Sequence, residues 1–458
     1  MEKIIAQGGV GNKRYNFVDN CDVDTRCSRM IHISVMSKIR NITGRSLITL
    51  TFSLFFALLL GGCTSYIPRE KVPSVFASYT GATPVKMVSI PLPVIASSPN
   101  EGITGGALTA FLFHNKNDEI NALVAPQVNY NENFGVTTTL YGAFYPTPDR
   151  NIEIDLSQST IINDDYEFKL HDKTYFDKKL EVNLSTFLFS DGSARFFGFE
   201  AKSPQQQETN YTDKEVGFNL SAGYDIGHHY QVILGERYRD VAIEPGAVKG
   251  IPYIKDLFGN SSVPGINGFA THAQRISLVY STLDSTIAPT FGGFARATVE
   301  PTFKALDGAK NFQRYEAEAK GFIPLDNARY INVFRLMYSQ TEGKRVPFLE
   351  QSILGGENTL RGYGRNRFID NSFLLCNLEE RIRLFRWEVF NVTADWEVAP
   401  FIDLGAVMEA LDKARASDFE FNPGIGFRAI VRPNIIGRVD MGVGRDGPAI
   451  FVGLGYPF

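Results

Sequence analysis

Val216, Phe218, Leu220, Ala222 and Tyr224 alternate with Gly217, Asn219, Ser221, Gly223 and Asp225, so one face of this stretch is oily and the other wet. A repeat of two is that of a β-strand, whose successive side chains leave opposite faces. The pattern recurs at Leu180, Val182 and Leu184 against Glu181, Asn183 and Ser185, and at Tyr315, Ala317 and Ala319 against Glu316, Glu318 and Lys320. Beyond Gly102 no long stretch carries the spacing of an amphipathic helix, so the body is all-β. Such dyads suit a soluble sandwich as well as a membrane barrel, and the choice between them comes from elsewhere in the chain.

Upstream, Leu47 to Leu60 (LITLTFSLFFALLL) is a short apolar run preceded by Lys38, Arg40 and Arg45 and ended by Gly61-Gly62-Cys63. Basic residues, an apolar run and small residues at its end make a secretory signal. A membrane-spanning helix needs ~20 apolar residues, so this run exports and does not anchor. The tetrad Leu60-Gly61-Gly62-Cys63 is similar to a lipobox, where bacterial lipoproteins are cut before a cysteine that then carries acyl chains. An ordinary signal followed by an accidental cysteine is the plainer alternative. Thr64 follows the cysteine, and the absence of aspartate there leaves such lipoproteins a route to the outer membrane. The signal is complete from Met36, whereas residues 1–35 carry Asp19, Asp22, Asp24, Cys21 and Cys27. Residues 1–35 therefore read as an upstream extension from a start assigned too early, and residues 36–62 as a lipoprotein-type signal peptide.

Loss of residues 1–62 removes eight Lys/Arg and four Asp/Glu and leaves a body of net charge −8. A nucleic-acid partner is not expected for so acidic a chain. Only Cys63, the candidate for lipidation, and Cys376 then remain, so disulfide stapling is not the strategy of this fold. Residues 63–100 include Pro68, Pro73, Pro84, Pro91, Pro93 and Pro99, which read as an extended, acylated periplasmic tether.

An export signal, 55 Phe plus Tyr for interfacial girdles and only two Trp favour the membrane barrel over the sandwich. Charges on the wet face of many strands demand a polar interior, and a closed barrel supplies one while leaving no edge strand to lipid. Tight turns at Tyr145 to Arg150 and Pro324 to Asn327 contrast with long polar stretches at Ala201 to Lys214 and Val241 to Gly268. Short periplasmic turns and long outer loops are the habit of such barrels. At ~22 residues per strand and connection, residues 101–458 hold about sixteen strands of a transmembrane antiparallel β-barrel.

The chain ends with Ile450, Val452, Leu454, Tyr456 and Phe458 on one face and glycines on the other. This resembles the C-terminal signal read when outer-membrane barrels are assembled, with Gly453 and Tyr456 at its glycine-x-x-aromatic spacing and Phe458 last. Phe451 departs from it, since a polar residue is usual there. The most specific stretch is Gln351 to Phe368, QSILGGENTLRGYGRNRF. It resembles the BamA/TamA superfamily, the bacterial surface antigen family, in which an Arg-Gly-aromatic motif tips an extracellular loop folded into the lumen. Here the motif is Arg361, Gly362 and Tyr363. Further landmarks are Ser98-Pro99-Asn100-Glu101-Gly102, Arg195-Phe196-Phe197-Gly198, and Leu283-Asp284-Ser285 through Pro289, Phe291 and Gly292, the last lacking an arginine usual after the aspartate.

A guanidinium drawn into a confined lumen loses water and needs carboxylates in bidentate range, and glycine lets the loop backbone approach the wall. By parity Asn377, Glu379, Arg381 and Arg383 face inward on one strand, and Phe401, Asp403 and Gly405 on the next. The resemblance assigns the arginine's partners to these strands, hence Glu379 and Asp403. Only about 38 residues separate Cys63 from Gly102, too few for the folded POTRA modules of the best-known relatives.

The resemblance implies a barrel that assists insertion or translocation of polypeptides by opening the seam between its first and last strands. Its expected partners are outer-membrane lipids, the barrel-assembly machinery during biogenesis, and polypeptide clients. Gly102, Gly105 and Gly106 on one side and Gly453 and Gly455 on the other either weaken that seam or permit the curvature a barrel needs. A passive pore or a structural barrel is the alternative. Gly442-Val443-Gly444-Arg445-Asp446-Gly447 satisfies GxGxxG, but no helix follows to cradle a phosphate. No GxSxG elbow or HExxH helix is present, and the five histidines after residue 62 are scattered apart from His228-His229. Neither an enzyme, a cofactor nor a metal is expected, although a barrel hydrolase built on one histidine and a distant serine would leave no local motif.

Overall fold

The structure is a computed structural model that describes residues 63–77, 81–303, 312–389, 392–431 and 435–458. The expected extension 1–35 and signal 36–62 lie outside the described residues. A short strand β1 (Cys63–Ile67) precedes β2 (Val85–Ser98) and β3 (Gly102–His114), and eleven more strands run from β4 (Ile120–Asn131) to β14 (Tyr330–Gly343). Two three-residue strands, β15 (Ser352–Leu354) and β16 (Phe368–Asp370), form a separate small sheet. The wall resumes with β17 (Ser372–Val389), β18 (Val392–Met408), β19 (Glu420–Val431), β20 (Ile435–Gly444) and β21 (Gly447–Leu454). Each wall strand pairs antiparallel with the next, and β21 returns to β2, closing a barrel of 18 strands.

Two expectations change. The barrel holds 18 strands, not about sixteen, and it begins at Val85 rather than after a tether ending at residue 100. The tether reading failed on Pro91 and Pro93. They share one parity, so both donorless nitrogens turn to the same side of β2, while pairing with β3 runs unbroken from Met87↔Phe113 to Ser98↔Gly102. Proline is tolerated where its nitrogen points away from a ladder, which puts these two toward the closure side. β1 covers the lower part of that side, from Cys63↔Ser89 to Ile67↔Val85.

The oily faces turn outward. Val216, Leu220 and Tyr224 are 45–48 % exposed, while Asp213 and Glu215 on the opposite face of the same strand are buried. That inversion suits a wall whose solvent is lipid. Connections 148–149 and 326–329 lie at one rim and 197–208, 246–268 and 344–371 at the other, so the second rim is extracellular. There the long loops build an apolar dome, in which Phe196 stands edge-on to Phe199, Phe258 and Phe348 beside Tyr211, Ile254 and Ile266.

Candidate functional site

The segment between β14 and β17 leaves the rim, turns down into the lumen and returns through the β15–β16 hairpin. Arg361, fully buried, stands at its tip. Its Nε and Nη2 donate to Asp403 Oδ2 and Oδ1 at 2.9 and 2.8 Å, its Nη1 to Glu379 Oε2 at 2.7 Å, and its backbone N to Asp403 Oδ2 at 3.0 Å. The fork of donors thus meets one carboxylate bidentately and a second end-on, the arrangement that offsets desolvation of a buried guanidinium. Phe401 stacks on it, with 3.4 Å from Cζ to the ring centre. Asn377 spans the site, donating to Asp403 Oδ1 at 2.7 Å and to the Thr359 carbonyl at 2.9 Å.

The network extends past the residues named from sequence. Asp440 on β20 lies 3.6 Å from Arg361 Nη1 and pairs with Arg428 at 2.8 Å and Arg438 at 3.1 Å. Arg381 donates to Glu379 at 3.0 Å. Carboxylates and guanidiniums therefore alternate from β17 to β20 with the loop arginine at the centre.

Gly362 lets the backbone rest on β20, since a Cβ there would lie 2.8 Å from Gly444 N. The wall is pared down to match. A Cβ at Gly442 would lie 2.4 Å from the Arg361 carbonyl oxygen, and one at Gly444 would lie 2.6 Å from that of Gly362. The glycines that mimicked a phosphate loop are thus the bed of the arginine loop, and their period of two on an inward face was the clue. Tyr363 is buried, hydrogen-bonds Glu420, accepts from Arg445 N at 3.1 Å and packs edge-on against Phe368 at 4.8 Å.

The loop is held at its base with charges reversed. Glu350, fully buried, accepts from Arg237 at 3.0 and 2.8 Å and from Arg314 at 2.8 Å. The sequence landmarks converge above. Arg195 donates to the Asn100 carbonyl at 2.8 Å, Asn100 donates to the Arg365 carbonyl at 3.1 Å, and Arg367 stacks on Phe197 at 4.1 Å. Asp284 organises the turn after β11 (Phe269–Ser281), accepting from Thr290 N at 2.9 Å, Thr290 Oγ1 at 2.6 Å and Phe291 N at 3.1 Å.

The seam lies between β2 and β21, so Gly102, Gly105 and Gly106 on β3 are one strand away from it. It is paired, among the described residues, at Ser97↔Ile450 alone. Among the described residues, the β2 edge from Ile90 to Ala96 has no ladder partner on this side. A cavity of about 90 Å³ opens at the top, lined by Ser98, Glu101, Glu357, Arg365 and Phe451. Gly453 stays in β21, but Tyr456 and Phe458 do not share the outward face of Val452 and Leu454. The strand ends at Leu454, and both aromatic rings lie against lumen arginines. Cys63 begins β1, and neither Cys63 nor Cys376 is in a disulfide.

A closed antiparallel barrel with an oily outside, a charged inside and an arginine-tipped loop in its lumen is a bacterial outer-membrane protein. Residues 150–443 match the Omp85 superfamily domain, and the chain belongs to that family. BamA from Haemophilus ducreyi lacking POTRA domains 1–3 is similar in fold, with a TM-score of 0.47 and 12% identity over 91% of this chain and 79% of that one. CdiB from Escherichia coli has a TM-score of 0.46 and 11% identity, covering 82% of this chain and 63% of its own length.

Proposed function

We propose that this barrel handles polypeptides at the outer membrane, assisting their insertion or translocation by opening the seam between β2 and β21. The observation that carries this reading is the single Ser97↔Ile450 pairing at the seam, beside the continuous ladders of β2 with β3 and β20 with β21. Each lost ladder position removes backbone hydrogen bonds, and the two prolines of β2 withhold two more donors. Seam opening therefore disrupts less than parting any other strand pair. The lumen favours a lateral route, because the Arg361 loop and the dome obstruct the axial one.

In this reading Arg361, Gly362 and Tyr363, with Glu379 and Asp403, hold β17 to β20 rigid beside a yielding seam. Gly453, Tyr456 and Phe458 are read in the extended, unassembled chain by the barrel-assembly machinery. Acylation of Cys63 would place lipid chains at the lower end of the unpaired β2 edge, where Cys63 stands opposite Ser89. Loss of lipid labelling in Cys63→Ser tests that part.

The central test places a photo-crosslinking residue at Ile95, which is 72 % exposed, and at Leu454, 55 % exposed, in growing cells. Adducts to outer-membrane or secreted polypeptides are expected, and they should vanish when a Ser97→Cys/Ile450→Cys disulfide staples the seam. Lipid adducts alone, with large steady conductance in planar bilayers, would establish a passive pore instead.

A further inference from the structure

The last four residues leave the wall. Gly455 adopts φ +79, a left-handed conformation that favours glycine. Had β21 continued, its alternation would set Tyr456 and Phe458 beside Val452 and Leu454 against lipid. Instead the chain turns beneath the arginine loop. Tyr456 donates from its hydroxyl to Glu397 Oε1 at 3.0 Å, and its ring centre lies 3.5 Å from Arg381 Cζ. Phe458 packs against Phe322, Ile331 and Val333 at the lower ends of β13 (Phe312–Leu325) and β14. Its ring centre lies 5.5 Å from Cζ of both Arg361 and Arg335.

We propose that Gly455–Phe458 is an internal lock in which the aromatic tail docks on the lumen arginines and positions the Arg361 loop from below. Arg381 supplies the physical reason for docking. Its side chain is fully buried, yet Nη1 and Nη2 meet no hydrogen-bond acceptor among the described residues. A desolvated guanidinium short of acceptors gains from the negative face of an aromatic ring, and Tyr456 presents one. Phe458 is held differently: the donors of Arg361 are already spent on Glu379 and Asp403, so the ring stands 5.5 Å from that guanidinium while its surface fills the apolar gap at β13 and β14. Because the tail is continuous with β21, movement of that strand at the seam withdraws the tail from Arg381 and Arg361. The lock thus ties the seam to the loop, whatever passes through the seam.

A benzophenone amino acid at position 458, followed by mass spectrometry of the folded, heat-modifiable species, tests the docking. Adducts within the peptide spanning Phe322 to Val333 are expected, and adducts to lipid would overturn the proposal. Tyr456→Leu keeps the apolar pattern of the terminus and tests the positioning role in protein that has assembled. Hydrogen exchange at Asn358 to Tyr363 should rise at least tenfold while β4 to β9 (Thr209–Asp225) stay at wild-type rates. Wild-type exchange in the loop would sink the coupling. A tail deletion that fails to assemble leaves both measurements intact, since neither uses it.

Discussion

Gly442 lies so close beneath Arg361 that a single methyl group would stand 2.4 Å from the Arg361 carbonyl oxygen. The three nearest atoms it would meet, Arg361 O and C and Gly362 N, all belong to backbone, so no flexible side chain can absorb the clash. Gly442→Ala should therefore lift the loop tip without altering any charge, costing about 1–3 kcal/mol as overpacking does. It is read as a lowered heat-modification temperature and new protease sensitivity within 344–371. Gly105→Ala, with open space around its Cβ, serves as the control, and equal behaviour of the two variants would refute the close approach.

Removing the guanidinium should do more. Arg361→Ala leaves Asp403 and Glu379 buried with less compensation, and breaking a buried pair costs about 3–5 kcal/mol. Arg361→Lys should rescue little, because an ammonium cannot serve both oxygens of Asp403 and Glu379 in the plane of one fork. Full recovery by lysine, measured by unfolding in urea, would show that charge alone matters.

Glu350 is expected to be the second anchor. Its loss takes from Arg237 and Arg314 one of the two buried carboxylates they share and leaves both to Glu300, at 2.7 and 3.1 Å. Glu350→Ala should destabilise the barrel by about 3–5 kcal/mol and free the rising limb of the loop while Tyr363 stays packed. Hydrogen exchange resolves the two limbs, and uniform loosening of both would contradict separate anchoring.

The turn after β11 should show a defined acid response. Burial works against the charge of Asp284, but hydrogen bonds from the Thr290 hydroxyl and the Thr290 and Phe291 amides outweigh it and lower its pKa. A lowered folded value means the stabilisation is complete above the ordinary carboxylate pKa of about 4 and is lost as pH falls through the depressed one. Protection of the Thr290 and Phe291 amides, corrected for intrinsic exchange, should persist below pH ~4 and then fade. In Asp284→Asn the protection should be weaker and independent of pH, and wild-type protection no stronger than that of the variant would count against the hydrogen-bonded carboxylate.

Much of the architecture follows from local chemistry. Alternation along β9 tells which residues face out, and parity along β17 and β18 sets Glu379 and Asp403 on the same inner surface. The strands themselves were harder to count, because β2 contains prolines at positions that only an edge tolerates. The period of two put Gly442 and Gly444 on one inward face, but a glycine pair carries no mark of which segment approaches it. Asp440, Arg428 and Glu350 looked like any other charges on a wet face.

The amino-acid sequence by itself determined the facing of the side chains, because that depends on spacing within one segment. The membrane barrel followed from the export signal, the aromatic content and the charged wet faces, and the residue at the tip of the loop from the family resemblance of Gln351 to Phe368. Tertiary structure alone decided which side of β2 became the seam, that Asp440 joins the arginine network, and that Phe458 turns into the lumen. Those outcomes depend on barrel closure, which brings segments hundreds of residues apart to a common wall. Tyr456 and Phe458 continue the pattern of β21 in sequence, but buried guanidiniums across the lumen outbid that pattern once the barrel has closed.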